Sequence, residues 1–327
     1  MILYRTQGSA EIGFGHIKRS VYLASLIKKK KSILFVLKKD KSAINYIKEK
    51  GFKYILLNQL KNIRWDLVTG IIFDIRTVEP LDNEILNKAK DNNIKTGQIT
   101  DLGLSKLDVN IIINASINID DNVCKGKKDS CFSGSQYVIS HHKFIHFNNV
   151  KRKYKKKVRN LLVSLGGAVQ YRQLRDLIDT LYRYNYRLKI TGGFYLKKSA
   201  RKILKRLYPK IKFVGTVESL ARPLFEADIA VITAGTTSYE AAAVGTPAIY
   251  FFYNKEQEEI ANTLEKENVG IKISSVNKFD KDKLLNVLDD FSLEKRTAMG
   301  KKAKKLIDGK GVYRIIELLS KTGIVQK

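Results

Sequence analysis

Acidic residues are in short supply: 32 Asp and Glu stand against 61 Lys and Arg in 327 residues, a net charge of +29. Cysteine is scarcer still, with only Cys124 and Cys131. Two thiols cannot build a disulfide framework or complete a four-ligand metal set, so free thiols in a reducing compartment are expected. No stretch approaches the roughly 20 uninterrupted apolar residues of a membrane span. No secretory leader is visible: Met1 runs directly into a short apolar segment, then Arg5 and a Gly-rich turn. Internal repeats and low-complexity tracts are also missing. These absences exclude a disulfide-stapled scaffold and a helical membrane protein, and they lead to the expectation of a cytoplasmic chain.

What is present is ordinary globular material, 44% hydrophobic, and enough chain for two domains of about 150 residues each. The surplus of positive charge points to anionic partners: phosphorylated small molecules, nucleic acid or an anionic membrane surface. It can also be solvated lysine spread over the surface, since a single diphosphate ligand needs far less. No recognised nucleic-acid module occurs, so nucleic acid is not expected as a partner. Peripheral contact with an anionic membrane stays open.

Short apolar runs alternate with amphipathic segments. Strands are expected at 2–4, 32–37, 54–57, 68–73, 95–99 and 109–113, with helical spacing from Ile17 through Ile27 and helices at 41–50 and 82–90. The stretch 151–159, KRKYKKKVR, reads as a linker, because like charges disfavour packing into a core. The pattern then restarts, with strands at 160–164, 187–190, 211–214, 229–233 and 248–252. Helices are expected at 174–181, 217–226, 238–244 and 255–266, and 293–319 reads as helical with a break at 309–311. The expected architecture is therefore α/β: two doubly wound Rossmann-like domains at 1–150 and 160–327, facing across a cleft. The last helix is a candidate to pack back on the first domain, and a monomer is expected.

Four groups of residues carry candidate chemistry. EIGFGHIKR at 11–19 follows the first strand and opens a helix. Gly13 and Gly15 permit a tight turn, and the helix start behind them offers free N–H groups to an anion. His16 at such a turn suits a general base, because an imidazole titrates near neutrality; Arg19 follows one turn later. SLGG at 164–167 ends a strand with Gly166 and Gly167, which can cradle a phosphate or form a plain β–α turn. AGTTSYE at 234–240 places Gly235, Thr236, Thr237 and Ser238 between a strand and a helix, fit to hydrogen-bond a diphosphate, with Glu240 in position to accept ribose hydroxyls or complement the helix dipole. Glu256 and Gln257 stand near a later helix start, where they can reach a sugar or simply face solvent. Asp74 with Arg76 closes the fourth strand and Asp101 follows the fifth, where ligand residues belong in a doubly wound sheet and where either can instead cap the following turn.

With these residues in view, the chain resembles the UDP-2,4-diacetamido-2,4,6-trideoxy-β-L-altropyranose hydrolases of pseudaminic acid biosynthesis (PseG) and the related spore-coat polysaccharide SpsG proteins. The most specific part is IGFGHIKR at 12–19 followed by Leu23 and Ala24, similar to that family's Gly-x-Gly-His-x-x-Arg signature. Gly134 with Tyr137 and Phe144, Leu165 to Gly167, Ser238 to Glu240, and Gln257 with Ala261 and Leu264 resemble further segments in the same order. The family's acid before the Gly-x-Gly is here Gln7, and its Asn before the later Gln is here Glu256. The resemblance implies the GT-B fold shared with MurG, which adds N-acetylglucosamine to the lipid-linked peptidoglycan precursor. It implies a small-molecule UDP-sugar substrate and cleavage at the anomeric carbon without metal or cofactor, with His16 as base and the second-half loops on the diphosphate. A glycosyltransferase of the same fold is the alternative.

Overall fold

The computed structural model describes residues 1–8, 15–27, 32–101, 107–118, 124, 130–166, 169–191, 196–214 and 219–325. The chain forms two compact units, Met1–Ile139 with Lys310–Lys327, and Ser140–Gly309. In the first, the strands are β1 (Ile2–Thr6), β2 (Ile33–Leu37), β3 (Lys53–Leu56), β4 (Gly70–Asp74), β5 (Thr96–Thr100), β6 (Ile111–Asn114) and β7 (Cys131–Ser133). Helices α1 (Gly15–Leu26), α2 (Lys41–Glu49) and α3 (Pro80–Asp91) lie between them in sequence. Among the described residues every pairing is parallel, in the order β3-β2-β1-β4-β5-β6-β7. A parallel sheet covered on both faces requires strands that are apolar throughout, and β1, β4 and β6 are buried at every position. The polar exception inside β1, Arg5, is fully buried and donates to Asp82 Oδ1 at 2.6 Å.

The second unit repeats the plan. It contains α4 (His142–Asn149), β8 (Asn160–Ser164), α5 (Tyr171–Tyr182), β9 (Arg187–Thr191), α6 (Lys198–Leu207), β10 (Lys212–Val214), α7 (Ala221–Glu226) and β11 (Ile229–Thr233). After these come α8 (Thr236–Ala243), β12 (Ala248–Phe252), α9 (Lys255–Lys266), β13 (Ile271–Ser275), α10 (Lys281–Asp290) and α11 (Leu293–Leu306). The parallel order is β10-β9-β8-β11-β12-β13. Helix ends are written locally in the sequence. Asp40, Asn254, Asp280 and Ser292 cap the starts of α2, α9, α10 and α11 by accepting a backbone N–H three residues on. Beyond α3 and α9, Asn93 and Asn268 adopt φ of 54° and 53°, and the paired backbone bonds Ile94 to Ala89 and Val269 to Leu264 close the helices.

The final helix, α12 (Gly311–Lys321), returns to the first unit. Val312, Ile315, Leu319, Ile324 and Val325 share a buried cluster with Ile2, Ile99 and Ile111. Two glycines make room for this return. A Cβ on Gly70 would stand 2.1 Å from the Ile324 carbonyl oxygen, and one on Gly97 2.9 Å from Ile324 Cδ1.

The expected strands of both halves coincide with β1 to β6 and β8 to β12 within about two residues. Three readings are corrected. The stretch 151–159 is no linker, because it lies within the second unit. Arg152 donates to Thr246 Oγ1 at 3.1 Å and to the carbonyl of Ala227, and its guanidinium lies over the rings of Tyr154 and Phe225. Tyr154 donates to the Gly245 carbonyl at 3.0 Å, and Arg296 donates to the Lys156 carbonyl at 3.1 Å. The charge of Arg152 is thus absorbed by carbonyl oxygens and ring faces, and burial lowers its pKa to about 10. The two cysteines are not free thiols: Cys124 and Cys131 form a disulfide, their Cα atoms 5.4 Å apart. The pairing of β7 with β6 holds Cys131 at a sheet edge within bonding reach of Cys124. Finally, β7 and β13 were not expected; one is three residues long and the other carries Lys and Ser, too weak a pattern to stand out.

Replacing Gly70 by Ala is expected to cost about 1–3 kcal/mol, because the added methyl meets backbone rather than a flexible side chain. Urea denaturation reads this as a lowered midpoint. Deleting residues 323–327 should then cost less in Gly70→Ala than in the parent chain, since the lost docking is shared.

Candidate active site

In each sheet the strand order reverses at one place, between β1 and β4 in the first unit and between β8 and β11 in the second. Crevices outside the carboxyl ends of such strand pairs are where doubly wound sheets bind ligands. Register sets Thr6 beside Asp74 at the end of β1 and β4. The chain leaving β1 enters α1, whose start carries His16 and, three positions on and so on the same face, Arg19.

These side chains converge on Asp74, which is fully buried. Its Oδ2 accepts from Arg19 Nε at 2.8 Å and Ser20 Oγ at 3.0 Å. Its Oδ1 takes Arg19 Nη2 at 2.5 Å and faces His16 Nδ1 at 2.8 Å. Thr6 Oγ1 and Ser20 Oγ are hydrogen-bonded at 2.9 Å. Arg19 Nη1 donates to Asp101 Oδ2, while Asp101 Oδ1 is buried with no hydrogen-bond partner among the described residues. Burial works to raise the Asp74 pKa, but the Arg19 guanidinium, with His16 beside it, holds the carboxyl well below the usual carboxylate range. Burial likewise opposes the charge on Arg19, yet Asp101 and Asp74 raise its pKa above the ordinary arginine value.

The network assigns the imidazole tautomer. His16 Nδ1 lies 2.9 Å from Arg19 Nη2 as well as 2.8 Å from the carboxylate. An ionised carboxylate is the stronger acceptor, so Arg19 Nη2 and His16 Nδ1 both donate to Oδ1. The Nε2 lone pair is left to accept a proton, with Asp74 orienting the ring. Gly15 is the first residue of α1; Gly13 lies outside the described residues. Gln7 is occupied elsewhere. Its amide oxygen accepts from the backbone N–H of Arg76 at 3.0 Å and Thr77 at 3.1 Å, and its nitrogen donates to the Thr77 carbonyl at 2.6 Å. This residue clamps the loop after β4 rather than presenting a free polar group.

At the second switch point, Gly166 takes φ of +79°, and a Cβ there would lie 3.4 Å from Thr233 Oγ1 at the end of β11. Gly167 is outside the described residues. Gly235 caps α8. Ser238 is buried, and both its Oγ (2.7 Å) and its N–H (2.9 Å) donate to the Gly235 carbonyl, fixing the turn. Thr236 is exposed and Thr237 half-buried, which leaves their hydroxyls at the open helix start. Gln257 accepts from Tyr253 N–H at 3.0 Å through Oε1, while Nε2 comes to 3.8 Å from the position of a Cβ on Gly235. Gly166, Thr233, Gly235 and Gln257 are therefore gathered at one edge. Glu240 and Glu256 are half-buried on α8 and α9 and have interactions of their own. Sequence reasoning missed Ser20, which donates to Asp74, Thr6, which is bonded to Ser20, and Asn254, whose Oδ1 accepts the Gln257 N–H at 3.0 Å. Only Asn254 carried a signal, as an N-cap residue ahead of a helical pattern.

Asp74→Asn is expected to destabilise the chain by about 3 kcal/mol near neutrality by leaving Arg19 short of a buried counter-charge. The folded Asp74 pKa is depressed, so its contribution is fully present above the unfolded carboxyl value of 3.8. It is lost as pH falls through the folded value. Urea unfolding at descending pH should therefore show the gap between parent and variant closing only below about pH 4.

Residues 147–319, more than half of the chain, match the family model of the glycosyltransferase family 28 C-terminal domain. An uncharacterized protein of Methanocaldococcus jannaschii is 27% identical over 277 residues, 78% of this chain. This chain spans only 56% of that relative's length. The spore coat polysaccharide biosynthesis protein SpsG of Bacillus subtilis is 22% identical, with 95% of each chain covered. Among solved structures, MurG of Acinetobacter baumannii superposes with a TM-score of 0.67 at 12% identity, covering 98% of this chain and 99% of that one. That likeness shows the fold, GT-B, with its two parallel-sheet α/β domains. The chain belongs to the family defined by the glycosyltransferase family 28 C-terminal domain.

Proposed function

We propose that this protein is a hydrolase that cleaves a UDP-linked deoxy-diacetamido sugar at its anomeric carbon, serving nonulosonic acid or surface polysaccharide biosynthesis. The observation that carries the reading is the His16–Asp74 pair, 2.8 Å apart at the first switch point with Asp74 held ionised. In this reading His16 Nε2 takes a proton from water as the water oxygen attacks C1. The bond from C1 to the diphosphate oxygen breaks, and UDP leaves with the electron pair from the face opposite to attack, inverting the configuration. Asp74 steadies the imidazolium that forms, as the carboxylate of a catalytic triad does. Arg19 keeps Asp74 ionised and His16 in place.

The second unit is given the leaving group. Charge grows on the diphosphate as the bond breaks, and preorganised donors aimed at growing charge are the strongest catalytic device available to a protein. The start of α8 supplies them, through backbone N–H groups and the hydroxyls of Thr236 and Thr237. Glycines at 166 and 235 permit close approach of the phosphates. Gln257 Nε2 adds a side-chain donor beside Gly235, Glu240 is assigned to the ribose, and Glu256 to the sugar or ribose. Support for a sugar nucleotide comes from the family 28 match and from the resemblance of residues 12–19 to the UDP-sugar hydrolase signature. The family match also favours a second reading, transfer of the sugar to a hydroxyl acceptor. His16 would then deprotonate that hydroxyl instead of water.

Release of UDP from a panel of UDP-sugars, with no acceptor added, separates the two. Steady release from a 2,4-diacetamido substrate is expected, with kcat falling about 10²–10⁴-fold in His16→Ala. Tight UDP binding without release would turn the reading to the transferase. Undiminished turnover in His16→Ala would remove His16 from either mechanism.

A further inference from the structure

Among the described residues no helix is long and apolar enough to cross a membrane, and one short helix shows aliphatic side chains to solvent among basic ones. α6 packs on its sheet through Leu204, with Leu196 and Tyr208 buried at its two ends. Ile203 and Leu207, one turn apart on the same face, remain 48% and 49% exposed. Lys198, Lys202, Lys205 and Arg206 are exposed around them. From Leu196 to Lys212 there are eight Lys and Arg and no Asp or Glu. The turn between α5 and β9 adjoins the end of this helix: Lys210 Nζ reaches Asn185 Oδ1 at 3.5 Å, and the rings of Tyr182 and Tyr208 stand 5.2 Å apart. That turn adds Tyr184, 42% exposed, between exposed Arg183 and Arg187.

We propose that α6 and the α5–β9 turn form a docking surface for an anionic lipid bilayer. Exposed aliphatic side chains rimmed by one sign of charge mark an interaction surface, and the chemistry names the occupant. Each basic residue near an anionic leaflet is drawn to its negative surface potential. Ile203 and Leu207 gain by entering the boundary between headgroups and acyl chains, where Tyr184 also suits an interfacial position. A second copy of the chain would present the same positive charge and be repelled. Nucleic acid would satisfy the lysines but leave the two aliphatic side chains in water. The proposal is independent of whether water or a hydroxyl receives the sugar.

Co-sedimentation with vesicles rich in phosphatidylglycerol, against vesicles of phosphatidylcholine alone, is the test. Full-length protein should pellet with the anionic vesicles and be released by high salt. Ile203→Ser with Leu207→Ser, and separately Lys202→Glu with Arg206→Glu, should each weaken binding roughly tenfold or more. All four positions are exposed, so circular dichroism and UDP binding should match the parent chain. Three results would overturn the proposal: no preference for anionic vesicles, binding that survives both double substitutions, or binding lost only with the charges while the protein shifts polyuridylate RNA at the same salt.

Discussion

A carboxylate with no access to water sits at the end of β4, and much of the first unit's functional edge depends on keeping it charged. An isolated ionised carboxylate cannot remain in such a place; it needs hydrogen bonds and an opposite charge. Arg19 supplies both, with two nitrogens on the Asp74 oxygens and a third on Asp101. Because Arg19 lies one turn into α1, that contact also fixes the rotation of α1 against β4. His16, three residues earlier, is thereby brought to the same carboxylate. A buried ion pair seldom adds much net stability over a well-packed apolar substitute. Its value here is positional: one residue pair orients a helix and brings His16 to the carboxylate.

The second unit meets the same architectural demand with different means. Both sheets reverse their order next to the first strand of the unit, so both present a loop and a helix start at the same relative position. In the first unit that place is filled by titratable side chains locked by an ion pair. In the second it is filled by glycines, hydroxyls and backbone N–H groups, with Gln257 the one long polar side chain turned toward Gly235. The contrast is the basis of the division of work proposed above between proton transfer and charge stabilisation. A mobile proton needs a group of intermediate basicity, whereas a diphosphate needs many donors and no bulk.

Much of this was legible because parallel strands buried on both faces must be written as apolar runs. ILYRT, GIIFD and IAVIT could hardly be anything else. His16, Arg19 and Asp74 were legible because strand ends in such a sheet are a short menu of positions. The failures share a cause: each was decided by a partner distant in the chain. Gln7 reads as a polar residue near a ligand, but the backbone N–H groups of Arg76 and Thr77, about 70 positions away, occupy its oxygen. Arg152 reads as part of a solvated basic run, but the carbonyls it meets belong to residues 227 and 244. The joining of Cys124 to Cys131 depends on where β7 pairs, and three residues of edge strand leave no periodicity to read.

The excess of positive charge separates into two populations with different physics. Arginines at 5, 19 and 296 are buried and Arg152 is half-buried, and each donates to protein acceptors. Asp82 holds Arg5, Asp74 and Asp101 hold Arg19, carbonyl oxygens hold Arg152, and the carbonyls of Phe291 and Lys156 hold Arg296. A planar guanidinium with donors in a fixed fork suits these sites, where the flexible ammonium of lysine would lose directional bonds. Their charge is spent on architecture and contributes little field at the surface. Lysine does the opposite work, keeping its head group in water while its stem lies along the protein. The proposed ligand, a nucleoside diphosphate sugar, carries only a few negative charges, so it cannot explain a net charge of +29. Exposed lysines elsewhere in the chain are offset by neighbouring acids, as Lys90 is by Asp108 and Lys321 by Glu317. The segment that contains α6 carries no acid at all and shows two aliphatic side chains to solvent. Solubility alone would be served as well by Lys and Glu together and better without exposed Ile and Leu, so this local pattern is better explained by what it meets than by what it avoids.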